Sequence, residues 1–158
     1  MIEVQNLRKS FDNTEVLKGI STTFETGKVN LVIGQSGSGK TVFLKSLLNV
    51  YEPSEGHILF DGRDIVGMGR KEKEQLRSEI GTVFQGSALF DSMTVQDNIM
   101  FPLDMFTNLT FTEKKKRVRE VMGRVHLENA EKKFPSEISG GMQKRVAIAR
   151  AIVTNPKY

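Results

Sequence analysis

The opening twenty-odd residues alternate apolar and polar positions in the manner of strands. Ile2, Val4 and Leu7 stand among Glu3, Gln5 and Asn6, and a second patch follows at Val16 and Leu17. That period of two turns one strand face inward. Glu25-Thr26-Gly27-Lys28 reads as a turn, and Val29 to Ile33 then runs Val-Asn-Leu-Val-Ile. A mostly apolar, β-branched run of this kind predicts a strand buried on both faces, as in a parallel sheet. Beyond the glycine-rich 34–39, Val42, Phe43, Leu44, Leu47 and Leu48 change to helical spacing over 40–50. Pro53-Ser54-Glu55-Gly56 predicts a turn, His57 to Phe60 a short strand, and Asp61-Gly62 a hairpin return.

The second half reads differently. Charge dominates from Arg70 to Arg77, which predicts an exposed helix, and Ile80 to Phe84 returns to strand character. Thr112 is a candidate N-cap for a helix whose Val118, Val121, Met122 and Val125 fall on one face. A long apolar helix is expected after Gly140-Gly141, through Val146, Ile148, Ala149 and Ile152, stopping at Asn155-Pro156. The order is β-rich, then α/β, then mostly α, with boundaries near Gln85 and Ser139.

Composition narrows this picture only slightly. With 158 residues, 38% of them hydrophobic and 27% charged, the chain has about one domain's length and is not mainly disordered. No run approaches the roughly 18–20 apolar residues of a membrane-spanning helix, and Met1-Ile2-Glu3-Val4 does not open a secretory leader. The absence of cysteine excludes disulfides, thiolate metal sites and cysteine nucleophiles, and fits a reducing cytosol. A net charge of +4 suits nucleotides or anionic headgroups without demanding either.

Gly34-Gln35-Ser36-Gly37-Ser38-Gly39-Lys40-Thr41 fits G-x-x-x-x-G-K-[ST] in full, between an expected strand and an expected helix. Glycines at 34, 37 and 39 permit positive φ and let backbone N–H groups surround anionic oxygens. The helix start near Lys40 adds its positive dipole end. Lys40 can reach the β- and γ-phosphates, and the Thr41 hydroxyl can ligate Mg²⁺. The expected ligand is a nucleoside triphosphate.

Gln85 follows the strand-like 81–84, and 138–145 reads Ile-Ser-Gly-Gly-Met-Gln-Lys-Arg. With the phosphate loop at this spacing, the chain resembles the ATP-binding cassette (ABC) ATPases along its whole length. Phe11 sits where that family's adenine-stacking aromatic lies. The resemblance implies a P-loop α/β fold with an N-terminal antiparallel β part, a parallel core sheet and an inserted helical subdomain. It implies a division into an ATP-binding core at 1–90, a helical subdomain at 91–138, and the signature motif and helix at 139–158. Gln85 would assist at the Mg²⁺ and the attacking water, and Ser139-Gly140-Gly141 would contact the ATP held by a second subunit in a head-to-tail homodimer. Met142 stands where the family usually has Gln, and a thioether cannot donate a hydrogen bond.

The stretch from Phe84-Gln85-Gly86 through Leu89-Phe90-Asp91-Ser92-Met93-Thr94-Val95 to Phe101-Pro102-Leu103 is similar to ATPases of the Mla (maintenance of lipid asymmetry) type. That likeness implies phospholipid transport with a membrane permease and an MCE-domain partner, at the cytoplasmic side of the inner membrane, and no nucleic acid. The alternative is the ATPase of another importer-type ABC system, or a non-transport ABC protein. Residues 86–105 would form the groove for the permease, with Leu89, Phe90, Met93 and Met100 as exposed apolar candidates. Lys114-Lys115-Lys116-Arg117 and Arg119 are expected on a solvated face, and His57 and His126 lack metal-ligand spacing. The family's strand ending in Asp-Glu and its switch histidine have no counterpart in 1–158. No catalytic carboxylate is therefore expected here, and this stretch alone should hold a triphosphate without cleaving it, exposing sheet edges and self-associating.

Overall fold

In the computed structural model, which describes residues 1–158, strands β1 (Ile2–Phe11) and β2 (Thr14–Phe24) form an antiparallel hairpin with Phe11 opposite Thr14. Asp12 closes its two-residue turn at φ 49°, a conformation that Asp tolerates better than most side chains. β3 (Glu55–Phe60) pairs antiparallel with the other edge of β1, Ile2 opposite Phe60. β4 (Arg63–Asp64) returns beside β3 across Asp61 and Gly62, at φ 47° and 79°. Two left-handed residues in succession are what the Asp-Gly step predicts. The sheet order is β2-β1-β3-β4. Val4, Leu7, Leu17, Ile58 and Phe60 are buried against it.

Gly56 does not end a turn as expected but lies inside β3, opposite the register shift of β1 between Gln5 and Arg8. Its φ is 88°, and a Cβ there would stand 2.3 Å from the Asn6 carbonyl oxygen. Only glycine allows the two backbones to approach so closely.

The parallel core sheet is the expectation that fails. Val29–Ile33 and Ile80–Phe84 run without ladder partners, and the four antiparallel strands are the whole sheet. Val29 is fully exposed, with Leu31 at 81% and Ile33 at 80%. A run apolar on both faces needs a strand on each edge, and the pattern announces that need without supplying the neighbours.

Packing groups the chain as Met1–Lys73 and Glu74–Tyr158. The first group holds the sheet and α1 (Lys40–Leu47); α2 (Arg70–Ser78) straddles the boundary. In the second, α3 (Val95–Phe106), α4 (Phe111–Arg124) and α5 (Gly140–Ile152) close on one core. Val95, Ile99, Leu103, Val118, Val121 and Val146 are fully buried there. The segments expected as 91–138 and 139–158 therefore share a single interior, because α5 presents Val146 and Ala149 to α3 and α4. The α4 cap is Thr110 rather than Thr112: Thr110 and Glu113 form a reciprocal capping box.

Candidate phosphate-binding site

The phosphate loop enters α1 through Gly39, the N-cap, at φ 90°. A Cβ at Gly39 would also lie 3.1 Å from a Leu17 methyl and 3.3 Å from the Val16 carbonyl oxygen, so β2 seats the loop closely. Gly37 is left-handed too, at φ 79°. Gly34 is not: it serves by space, because a Cβ there would fall 2.8 Å from the Ser38 hydroxyl. The expectation of positive φ thus holds at 37 and 39 and fails at 34.

Lys40 folds back over the loop it terminates. Its ammonium donates to the carbonyl oxygens of Gly34 at 2.7 Å and Gln35 at 2.6 Å. An ammonium has three donors, so one remains for a ligand at the loop mouth. The Ser38 N–H donates to the Gln35 carbonyl at 3.3 Å, holding the turn. Ser36, between them, is exposed, as is Thr41 in the first helical turn. No acidic residue occupies the first turn of α1, which leaves its positive dipole end uncompensated.

Phe11, at the end of β1, meets Tyr51 edge-on, ring centroids 5.1 Å apart. The Lys9 ammonium lies 5.1 Å from the Phe11 ring, and the Lys45 ammonium of α1 lies 5.3 Å from Tyr51. At 38% exposure Phe11 keeps surface open for stacking. Tyr51 was not identified from the sequence; an aromatic just before the Pro53 turn and six residues beyond Lys45 was the available signal.

In the second group Gln85 is exposed in a turn that continues through left-handed Gly86, Ser87 and Ala88. Ser139 caps α5, its hydroxyl accepting from the Met142 N–H at 3.2 Å, and Gly140 and Gly141 are exposed in the first turn. Met142 packs against the helical core, so an apolar side chain at that position has a structural use. Gln143 instead fixes the motif, donating to the Pro135 carbonyl at 2.9 Å.

Of the groove candidates, Phe90 is exposed, Leu89 and Met93 are partly covered, and Met100 belongs to the core. Met100 fails as a surface residue because it falls on the inward face of α3. Phe84, Ala88, Phe90, Phe101 and Met105 border a cleft of about 300 Å³. The basic run is less solvated than expected. Arg117 donates to the Val153 carbonyl at 2.8 Å, Lys114 pairs with Asp104 at 2.8 Å, and Lys115 lies over the Phe111 ring. Lys116 and Arg119 are exposed. His57 pairs with Asp64 at 2.6 Å, and His126 contributes a left-handed backbone at φ 53°. No cluster of three or more His, Cys, Asp or Glu could hold a metal.

The Mg²⁺ donors named by the sequence are therefore neutral oxygens, the Thr41 hydroxyl and the Gln85 carboxamide. Thr41, a neutral hard donor in the turn that follows the phosphate loop, fits a Mg²⁺ that arrives with phosphate oxygens already bound, rather than a protein-only cage.

Residues 17–158 match the family model described as ABC transporter. The chain is 44% identical over 156 residues to the probable ribonucleotide transport ATP-binding protein mkl of Mycobacterium tuberculosis, covering 99% of this chain and 44% of that protein. It is 39% identical over 161 residues to the methionine import ATP-binding protein MetN 1 of Rhodococcus jostii, covering 99% of this chain and 47% of that one. Among solved structures, the dimeric ATP-binding cassette MJ0796 in a post-hydrolysis state with ADP and Pi superimposes with a TM-score of 0.88 at 30% identity. That match covers 99% of this chain and 71% of the cassette. The chain thus spans less than half the length of these curated relatives.

Proposed function

The chain belongs to the ABC transporter family, and from that premise we propose that it is the nucleotide-binding part of a subunit coupling ATP hydrolysis to transport. The observation that carries this reading is the phosphate loop: two left-handed glycines, an uncompensated helix start and an ammonium held over the loop mouth. Backbone N–H groups of 35–40 and Lys40 bind the phosphates, and Phe11 stacks the base with Tyr51 supporting it edge-on. Thr41 would be a ligand of Mg²⁺, whose charge would offset that developing on the transferred phosphoryl group, and assistance from Gln85 at the same ion is what the family resemblance implies. Ser139, Gly140 and Gly141 contact the nucleotide of a second copy across a head-to-tail dimer. Residues 1–158 supply no carboxylate to orient the attacking water, so in isolation they bind without cleaving.

The cleft beside Phe84, Phe90 and Met105 receives a helix of a membrane permease, its apolar border matching an amphipathic partner. No helix of the chain is long and apolar enough to cross a membrane, and the subunit is peripheral, at the cytoplasmic face. The Mla-like stretch from Phe84 to Leu103 supports phospholipid as cargo, with an MCE-domain partner. A second reading, import of a small solute, is favoured by the likeness to a methionine import ATPase.

Reconstitution of the full-length subunit with its permease in liposomes separates the readings. Transfer of labelled phospholipid, dependent on ATP and lost in Lys40→Ala, is the expected result. Uptake of methionine with no lipid transfer would favour the second reading. ATP turnover by residues 1–158 alone, abolished by Lys40→Ala, would contradict the binding-only assignment.

A further inference from the structure

Gln85 opens a run of backbone that few side chains tolerate. Gly86, Ser87 and Ala88 stand at φ 76°, 65° and 45°. Glycine adopts this region freely, whereas each non-glycine residue there costs about 1–2 kcal/mol and persists only where its surroundings impose it. Two groups impose it. Arg150, in the last turn of α5, donates from one Nη to the Ala88 carbonyl oxygen at 2.9 Å and from the other to the Ser87 carbonyl oxygen at 2.8 Å. Its guanidinium also lies over the Phe90 ring, 5.9 Å from the centroid. Beyond that ring Asn98, fully buried, accepts from the Phe90 N–H at 2.8 Å and donates to the Phe90 carbonyl.

The two carbonyls belong to successive residues, and the rigid guanidinium fork can reach both at once. A lysine ammonium donates from a single nitrogen on a flexible stem, so it cannot set two separate, coplanar nitrogens on the two oxygens and holds their spacing less rigidly. Burial lowers the Arg150 pKa from the ordinary arginine value, yet a guanidinium stays charged at neutral pH. Arg150 also rides on the helix whose first turn carries Gly140 and Gly141, capped by Ser139. Eleven residues separate Ser139 from Arg150, about 16 Å of continuous α-helix.

We propose that Arg150 is a positioning residue: by clamping the Ser87 and Ala88 carbonyls it fixes Gln85 and makes its loop travel with α5. Engagement of Ser139–Gly141 is then transmitted to Gln85 as a rigid displacement. The inference rests on the roles proposed above for Gln85 and for the Ser139–Gly141 turn.

The chain has no cysteine, so Gln85→Cys and Lys144→Cys place a unique pair of spin labels in it, native cysteines elsewhere in the full-length protein being replaced. Pulsed electron resonance on that protein should give a narrow 85–144 distance distribution. It should stay unchanged when Mg²⁺ and a slowly hydrolysed ATP analogue are added, and broaden at least about twofold in Arg150→Lys. In the unlabelled protein Arg150→Lys should lower kcat about tenfold with KM for ATP within about twofold, the split expected when a group acts after binding. Unchanged width together with unchanged kcat in Arg150→Lys would overturn the proposal. If Arg150→Lys does not fold, the parent protein still decides: a broad distribution, or one shifted by nucleotide, overturns it. Absence of ATP turnover in the parent would refute the hydrolytic reading, while the distance measurement would still judge the clamp.

Discussion

The sheet group at 1–73 and the helical group at 74–158 solve burial in opposite ways. In the helical group three helices cover one another around a single core, although Val83 and Phe84 of its own strand-like run stay exposed. In the sheet group the strand-like run that leads into the phosphate loop stays uncovered, with Leu31 and Ile33 facing solvent. The loop nevertheless keeps its shape, because Gly39 is seated on Val16 and Leu17 of β2 and Lys40 ties the loop carbonyls. A binding loop can thus be organised by local backbone geometry and one neighbouring strand, even where the run that leads into it has no ladder partner.

Five substitutions sharpen that contrast. Gly56→Ala should have the largest effect, since its Cβ would strike the Asn6 backbone and its φ of 88° disfavours alanine. A loss of about 3–5 kcal/mol is expected, read as a fall in the denaturant midpoint of the sheet group. Asn98→Ala should cost the helical group about 2–3 kcal/mol. Its amide satisfies the Phe90 N–H and the carbonyls of Phe90, Met93 and Thr94 from a fully buried position. Hydrogen exchange at the Phe90 amide should rise with it.

The direct comparison is Val121→Thr against Leu31→Thr. Burying a hydroxyl at Val121 should cost about 2 kcal/mol, whereas within 1–158 the exposed Leu31 site should change by less than about 0.5 kcal/mol. Equal losses would mean that the 29–33 run is covered in solution, as self-association would require. Thr110→Ala should cost about 1 kcal/mol by uncapping α4. Glu113 has its pKa lowered, first by the Thr110 hydroxyl and then by the Thr110 N–H. Its carboxylate therefore adds stability above the ordinary glutamate range, and that increment disappears as pH falls through the lowered value. A carbon-detected titration of Glu113 should show the lowered pKa in the parent and its return upward in Thr110→Ala.

The difference between the groups also explains what the sequence made legible. The phosphate loop, the Asp61-Gly62 hairpin and the Ser139 cap are local devices whose residue types state their own geometry. Helix α4 was displaced only at its start, because Thr110 and Thr112 both precede its apolar stripe and Glu113 decides between them. Strand pairing for 29–33 and 80–84 was not legible, since a ladder depends on neighbours that the run itself does not name. Arg117 and Arg150 were likewise missed as anchors. Their carbonyl partners lie 36 and 62 residues distant, at Val153 and Ala88, and long-range bonds to backbone leave no motif. At Met142 the sequence shows only a missing hydrogen-bond donor, because its place against the helical core depends on three-dimensional packing.

The central claim is that residues 34–41 hold a triphosphate through backbone geometry and Lys40. Calorimetric titration of the protein with Mg·ATP, beside Lys40→Ala, tests it most directly. The account predicts saturable binding to the parent, weakened at least about tenfold in Lys40→Ala, equivalent to about 1.4 kcal/mol, with thermal stability unchanged. Equal affinity in the two proteins, or no binding by the parent, would contradict it.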